Sequence, residues 1–192
     1  MVFGAGRRRR LAPGDESGSD PSFAKFLAIL RGVSRERNTA GLQALCAADV
    51  ITGIDSPSGP AELVKKMQAG GWAHLETVLK LGAAHYEKGF ALPYLFGRFP
   101  DDLEAFEHLV TIRPGAVLRA TGRSGAAVVA MLDYDILHVK DARPVKGWIQ
   151  AERLDGPKGW VAEGDVLSLG AQRIFIEKKN GVWKITAWAA GD

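Results

Sequence analysis

The side chains best suited to chemistry in this sequence are four histidines and one cysteine, and their spacing predicts no catalytic or metal site. Cys46 follows Leu45 in an apolar, helix-like segment, which predicts an inert buried thiol and not a nucleophile. The histidines lack the i, i+4 spacing of zinc ligands on one helix. They are His74, His85, His108 and His138. We therefore expect no enzymatic activity, no metal and no cofactor.

Three short motifs could suggest a catalytic or phosphate-binding site, and none of them meets the requirements of one. Gly122-Arg123-Ser124-Gly125 does not satisfy the Gly-x-Ser-x-Gly pattern of a nucleophile elbow, and no strand and helix flank it. Gly4-Ala5-Gly6 has no strand before it to form a phosphate-binding loop. Asp101-Asp102 is best interpreted as a helix start, since acid–base catalysis needs carboxylates opposed across a cleft.

The charge pattern also argues against nucleic acid as a partner. The chain has 25 Lys and Arg against 22 Asp and Glu, and apart from Arg7 to Arg10 the two signs are interspersed. A nucleic-acid binder gathers its cations on one face. No run of about 18 apolar residues predicts a transmembrane helix. The four arginines are followed by Leu11-Ala12-Pro13-Gly14 and not by an apolar stretch, so no intact signal peptide is predicted.

Composition and periodicity divide the chain into four parts. Residues 1–19 are rich in Gly, Arg, Ser and Pro, which predicts a disordered basic tail. Residues 20–112 are predicted to be a helical region, beginning at Asp20-Pro21 with a capping carboxylate and a proline suited to the first turn. The strongest helical pattern starts at Trp72 and extends to Tyr86. A shorter helix is predicted over residues 101–108.

Short β-rich segments replace the helical pattern after Ile112, which predicts an α+β fold. Residues 113–168 form one group of strands and residues 169–192 a C-terminal β-hairpin. Asn180-Gly181 predicts a two-residue type I′ turn that pairs Lys179 with Val182 across the hairpin. This turn fixes the register, so each preceding residue pairs with the next one on the second strand, as far as Ile174 with Ala187. The apolar face of this hairpin should pack on the helical region, since an isolated hairpin is only marginally stable.

Residues 116 to 167 resemble the bacterial Src-homology-3-like domain. The most specific part of the likeness is a pair of Gly-Trp dipeptides, at Trp148 and Trp160, on either side of an Asp155-Gly156 turn. The loop at Gly122-Arg123 departs from the family, where a proline is common. The segments that carry the resemblance are Leu118-Arg119-Ala120 with Ser124, Val128–Leu132, Asp135–Val139, Gly147–Ala151 and Leu154–Val161.

This resemblance implies a small β-barrel that binds a ligand and does not catalyse a reaction. Domains of this kind are accessory modules of envelope proteins that recognise cell-wall peptides or partner proteins, so the likeness implies the cell envelope or periplasm. An aromatic groove would supply the binding surface. We expect Tyr134, His138 and Trp148 to line it, and Trp160 to lie in the barrel core because small barrels need large residues inside.

A second hypothesis starts from the C-terminal strand. The segment from Trp183 to Asp192 is similar to the last strand of cone-shaped α+β folds of the cystatin or nuclear-transport-factor-two-like kind. That likeness implies a helix packed across a curved sheet, with a pocket for a small ligand or a reaction among Phe90, Tyr94 and Trp183. A filled core at these residues would remove the hypothesis.

Overall fold

A computed structural model describes residues 7–53 and 58–191 of the chain. The fold is mixed α+β, as predicted. It divides into two compact units. The described part of the first, the seven-stranded unit, is residues 7–13 and 99–170. The described part of the second, the five-stranded unit, is residues 14–53, 58–98 and 171–191.

The five-stranded unit combines five α-helices with one sheet. Its helices are α1 (Pro21–Arg35), α2 (Thr39–Leu45), α3 (Pro60–Lys66), α4 (Trp72–Lys80) and α5 (Tyr94–Gly97). Its strands are β1 (Cys46–Ile51), β2 (Ala84–Tyr86), β3 (Gly89–Leu92), β11 (Arg173–Lys179) and β12 (Val182–Ala189). They pair in the order β1-β12-β11-β3-β2, and only β1 runs parallel to its neighbour.

Helix α1 begins where the sequence predicts. The Asp20 carboxylate accepts hydrogen bonds from the backbone amides of Ser22 and Phe23, and Pro21 occupies the first turn. One face of α1 then packs into the core of the unit through Phe23 and Leu27, both fully buried. The Trp72 helix is shorter than predicted. It ends at Lys80, and Tyr86 lies on β2.

The C-terminal hairpin confirms the predicted turn. Asn180 and Gly181 both have positive φ, 51° and 81°, as a type I′ turn requires. The pairs from Lys179↔Val182 to Ile176↔Ile185 are those predicted. A bulge between Phe175 and Ile176 then shifts the register, so the predicted pairing of Ile174 with Ala187 is wrong.

The seven-stranded unit contains β4 (His108–Thr111), β5 (Pro114–Arg119), β6 (Val128–Asp133), β7 (Ile136–His138), β8 (Trp148–Arg153), β9 (Lys158–Ala162) and β10 (Val166–Ser168). All pairs are antiparallel, in the order β10-β4-β7-β8-β9-β5-β6. Strands β10 and β6 are therefore the two edges of an open ladder. Its core is apolar and includes Leu118, Leu132, Leu137 and Val161.

Three predicted boundaries differ from the structure. Residues 101–108 are not a helix: a 3₁₀ turn at Ala105–Glu107 leads directly into β4. Because β4 pairs with β7 and β10, the seven-stranded unit begins at Phe99, not at residue 113, and it ends at Gly170. The predicted helical region, residues 20–112, also contains β1, β2 and β3. The β-branched segment 50–54 predicts a short strand; its first two residues belong to β1, and Ile54 lies outside the described residues. Short strands without strict alternation cannot be told from helix ends by periodicity.

The prediction of a disordered tail over residues 1–19 is wrong for the part that the structure describes, residues 7–19. Arg10 forms a β-bridge with Asp135, and Ser17–Ser19 is a 3₁₀ turn. Residues 1–6 lie outside the described residues. Composition predicts disorder where a segment cannot bury apolar surface, and here ion pairs with distant aspartates hold the segment instead.

Candidate ligand-binding face

Strands β8 and β9 present two tryptophans on the outer face of the seven-stranded unit. Side chains alternate along a strand, and Ile149, Ala151 and Val161 are buried in the core, so Trp148 and Trp160 point the other way. Both tryptophans are half-buried. The expectation that Trp160 fills the core is therefore wrong. Because side chains alternate along a strand, a core position for Val161 puts the adjacent Trp160 on the other face. This alternation was the sequence signal that could have placed Trp160 correctly.

The register makes the two tryptophans diagonal neighbours. Trp148 lies opposite Ala162, and Gln150 lies opposite Trp160. The two indoles are thus two positions apart across adjoining strands, within reach of large side chains. The Asp155-Gly156 turn predicted between the strands is present, with Gly156 at φ 117°.

Gly122 comes close to both rings. A Cβ added at Gly122 would lie 3.1 Å from Cβ of Trp148 and 3.2 Å from Cε3 of Trp160. The loop between β5 and β6 can approach the tryptophan pair this closely because residue 122 has no side chain.

Arg119 adds a cation beside this pair. It lies opposite Trp160 across β5 and β9, and its Nη1 donates to the carbonyl of Ala126 at 2.7 Å. Its Nε is buried and has no hydrogen-bond partner in the part of the chain that the structure describes.

A groove of about 240 Å³ continues the same face toward β7. His138 on β7 lies opposite Glu152, which is four residues from Trp148 along β8. Measured along the strand direction, Trp148 and His138 are therefore about 13 Å apart. Gln150 lines the groove and also faces Trp160, which joins the groove to the tryptophan pair. The residues that line the groove are His138, Lys140, Asp141, Gln150, Ala151, Glu152 and Lys158.

The third predicted residue lies elsewhere. Tyr134 is at the corner between β6 and β7 with φ 53°, and its carbonyl accepts a hydrogen bond from the Leu11 amide at 2.8 Å. The structure therefore places His138 and Trp148 along one face, and Tyr134 at a corner that contacts the N-terminal segment. Gln150, Arg119 and Trp160 were not among the predicted site residues.

Three of the four histidines lie within hydrogen-bonding distance of partners in their own units. His74 Nε2 is 2.9 Å from the Gln172 carbonyl, and His85 Nε2 is 2.7 Å from the Ser19 hydroxyl. His108 Nδ1 is 2.7 Å from the Glu104 carbonyl. No group of three or more His, Cys, Asp or Glu side chains is arranged to hold a metal ion within residues 7–53 and 58–191.

Cys46 is buried, and its thiol donates to the Leu42 carbonyl at 3.2 Å. Burial raises the pKa of this thiol to about 11. At pH 8 the native thiolate fraction is then far below that of an unfolded cysteine. We expect iodoacetamide to alkylate native Cys46 about a hundredfold more slowly than the urea-unfolded chain, with free glutathione as the control for urea. Equal rates would show an accessible, ionised thiol.

The pocket predicted by the cone-fold hypothesis is filled. Phe23 from α1 stacks on Phe90 with ring centroids 3.6 Å apart, and Trp183 packs edge-on against Phe23 with ring centroids 5.1 Å apart. The indole N–H of Trp183 donates to the Ser22 hydroxyl at 2.9 Å. These contacts fill the space beside Phe90 and Trp183, whereas Tyr94, half-buried at the start of α5, takes no part in them.

Comparisons of this chain with protein-family models, with curated proteins and with solved structures found no match. In the part of the chain that the structure describes, no helix is both long and apolar enough to cross a membrane.

Proposed function

We propose that the seven-stranded unit is a Src-homology-3-like barrel that binds an extended peptide without catalysing a reaction. The peptide would come from a cell-wall fragment or a partner protein. The observation that carries the proposal is the pair of half-buried tryptophans, Trp148 and Trp160, on one outward face of adjoining strands. Large flat side chains held rigidly on a sheet give contact area at little cost in conformational entropy.

The strand order supports the barrel. Strands β5 to β9 follow the order β7-β8-β9-β5-β6, and a tight corner at Tyr134–Asp135 joins β6 to β7. Nη1 of Arg153, at the end of β8, donates to the Met131 carbonyl on β6 at 3.2 Å. A side chain of β8 thus bridges to the far edge of the ladder, as expected if the sheet curls toward closure.

The polar groups of the face suit a peptide main chain. Gln150 offers an amide donor and acceptor between the groove and the tryptophan pair, and the half-buried Arg119 places a positive charge opposite Trp160. Lys158 is paired with Glu152 at 3.0 Å, so part of the groove is neutralised. A ligand with apolar side chains against the indoles and main-chain carbonyls toward Arg119 fits this arrangement.

The test is binding of the intact protein to insoluble peptidoglycan and to immobilised extended peptides. Trp148→Ala should weaken binding about tenfold to thirtyfold, because it removes one ring of the pair. Phe106→Ala is the matched control, since Phe106 is an aromatic residue of the same unit that is 59% exposed and lies outside the face. Equal binding by the wild type and both variants would overturn the proposal.

A further inference from the structure

The N-terminal segment, residues 7–13, lies as a strap on the corner between β6 and β7. The amide of Leu11 donates to the Tyr134 carbonyl at 2.8 Å, and the amide of Ile136 donates to the Arg9 carbonyl at 3.0 Å. Arg10 and Asp135 form an antiparallel bridge between these two bonds. The strap therefore binds through its main chain as an added strand does.

Asp135 is the anchor of this contact. It is fully buried, and its carboxylate accepts hydrogen bonds from Nε of Arg8 at 2.5 Å and from Nη2 at 2.8 Å. The same carboxylate accepts from the Asp133 amide at 2.6 Å, while the amide of Asp135 donates to the Thr111 hydroxyl at 2.7 Å. The backbone of Asp135 is held by β4 and its carboxylate by β6, ready for a planar guanidinium.

Two further ion pairs fix the register. Arg9 lies 2.6 Å from Asp102, and Arg10 lies 3.3 Å from Asp133. Three consecutive arginines thus each meet a different aspartate of the seven-stranded unit. Both of these outer pairs are solvent-exposed and contribute little energy, so their role is to select the alignment of the strap.

Two features of the strap favour its exchange between molecules. Its residues are exposed or half-buried, and the boundary between the two compact units falls directly after it, at Pro13-Gly14. The hydrogen-bond and ion-pair partners of Arg8 to Leu11 described above lie in residues 102–136. From this geometry we infer that the Asp135 corner is a docking site for an extended arginine-containing segment, and that the strap of a second copy of this chain can fill it. This inference is independent of the tryptophan face.

In the wild type the chain's own strap competes with any second copy. A short tether gives an effective concentration on the order of millimolar, so the intramolecular contact is favoured in dilute solution. Two complementary variants remove this competition. Arg8→Ala keeps the docking site but loses the anchor of the strap, whereas Asp135→Ala keeps the strap but loses the site.

We expect each variant to be monomeric, and the 1:1 mixture to form a heterodimer of twice the 20.6 kDa chain mass by light scattering. The control mixture replaces Asp135→Ala with the double variant carrying both changes, which has neither a strap anchor nor a site. If the mixture of Arg8→Ala and Asp135→Ala formed no more dimer than the control mixture, the inference would be overturned.

A second measurement covers the case in which Asp135→Ala does not fold. A fluorescent peptide of residues 7–13 should bind the Arg8→Ala chain, detected by anisotropy, and the same peptide with alanine at position 8 should bind at least tenfold more weakly. If Arg8→Ala also fails to fold, Arg8→Lys replaces it, because lysine keeps the charge without the bidentate fork. Equal binding of the two peptides would contradict an arginine-specific site.

Discussion

Replacing Phe23 by alanine is expected to lower the free energy of unfolding of the five-stranded unit by about 3–5 kcal/mol. Phe23 is fully buried, stacks on Phe90 and meets the edge of Trp183, so its removal leaves a cavity between α1 and the sheet. Main-chain hydrogen bonds of β3 and β11 hold that sheet, so collapse into the cavity is limited. Urea denaturation, with hydrogen exchange to assign the loss to this unit, measures the effect.

The matched control for this change is Phe106→Ala. That side chain is 59% exposed, so its removal should change stability by no more than about 0.5 kcal/mol. Phe23→Ala should also create an apolar site that binds benzene or indole, as apolar cavities do. If both variants lost the same small amount of stability, the space beside Phe90 would not be filled as described.

The hairpin was predictable because its information is local. Asn180-Gly181 selects the turn, and the turn fixes the first four pairs. The register beyond the bulge at Phe175 was not predictable in this way. There β12 also pairs with β1 on its other side, through Cys46↔Ile185 and Ile51↔Ala187. The residues of the turn carry no information about pairing with a strand so distant in the sequence.

The candidate site was predicted in part. The two Gly-Trp dipeptides correctly indicated adjoining strands, but the predicted side of the sheet for Trp160 was wrong. The prediction relied on the large size of the indole and not on the alternation of Trp160 with the buried Val161. Arg119 gave no signal, because its place beside Trp160 comes from the pairing of β5 with β9. Tyr134 was chosen for its aromatic ring, whereas its contact with the strap uses its carbonyl.

The strap was missed because its partners are far away in the chain. Arg8 and Asp135 are 127 residues apart, and nothing near Arg8 in the sequence offsets its charge. Composition alone predicted a solvated tail. In the structure, these arginines form three specific ion pairs with aspartates. Anionic lipid or nucleic acid could bind the same arginines only by displacing Arg8 from a buried carboxylate.

Arg8→Ala is expected to destabilise the seven-stranded unit by about 3–5 kcal/mol, because it leaves the fully buried Asp135 carboxylate without its cation. Arg9→Ala is the matched control. It removes an adjacent arginine whose partner, Asp102, is exposed, so it should cost about 0–1 kcal/mol. Urea denaturation measures both, and hydrogen exchange of the Thr111 and Asp133 amides reports the corner directly.

A companion change separates the ion pair from the packing of the strap. Adding Asp135→Asn to Arg8→Ala removes the buried charge while keeping an acceptor for the Asp133 amide. The double variant should therefore be more stable than Arg8→Ala, since the cost of the single change is mostly that of an unpaired buried charge. If Arg8→Ala lost no more stability than Arg9→Ala, or if Asp135→Asn failed to recover any of the loss, the carboxylate would not depend on the strap for its cation.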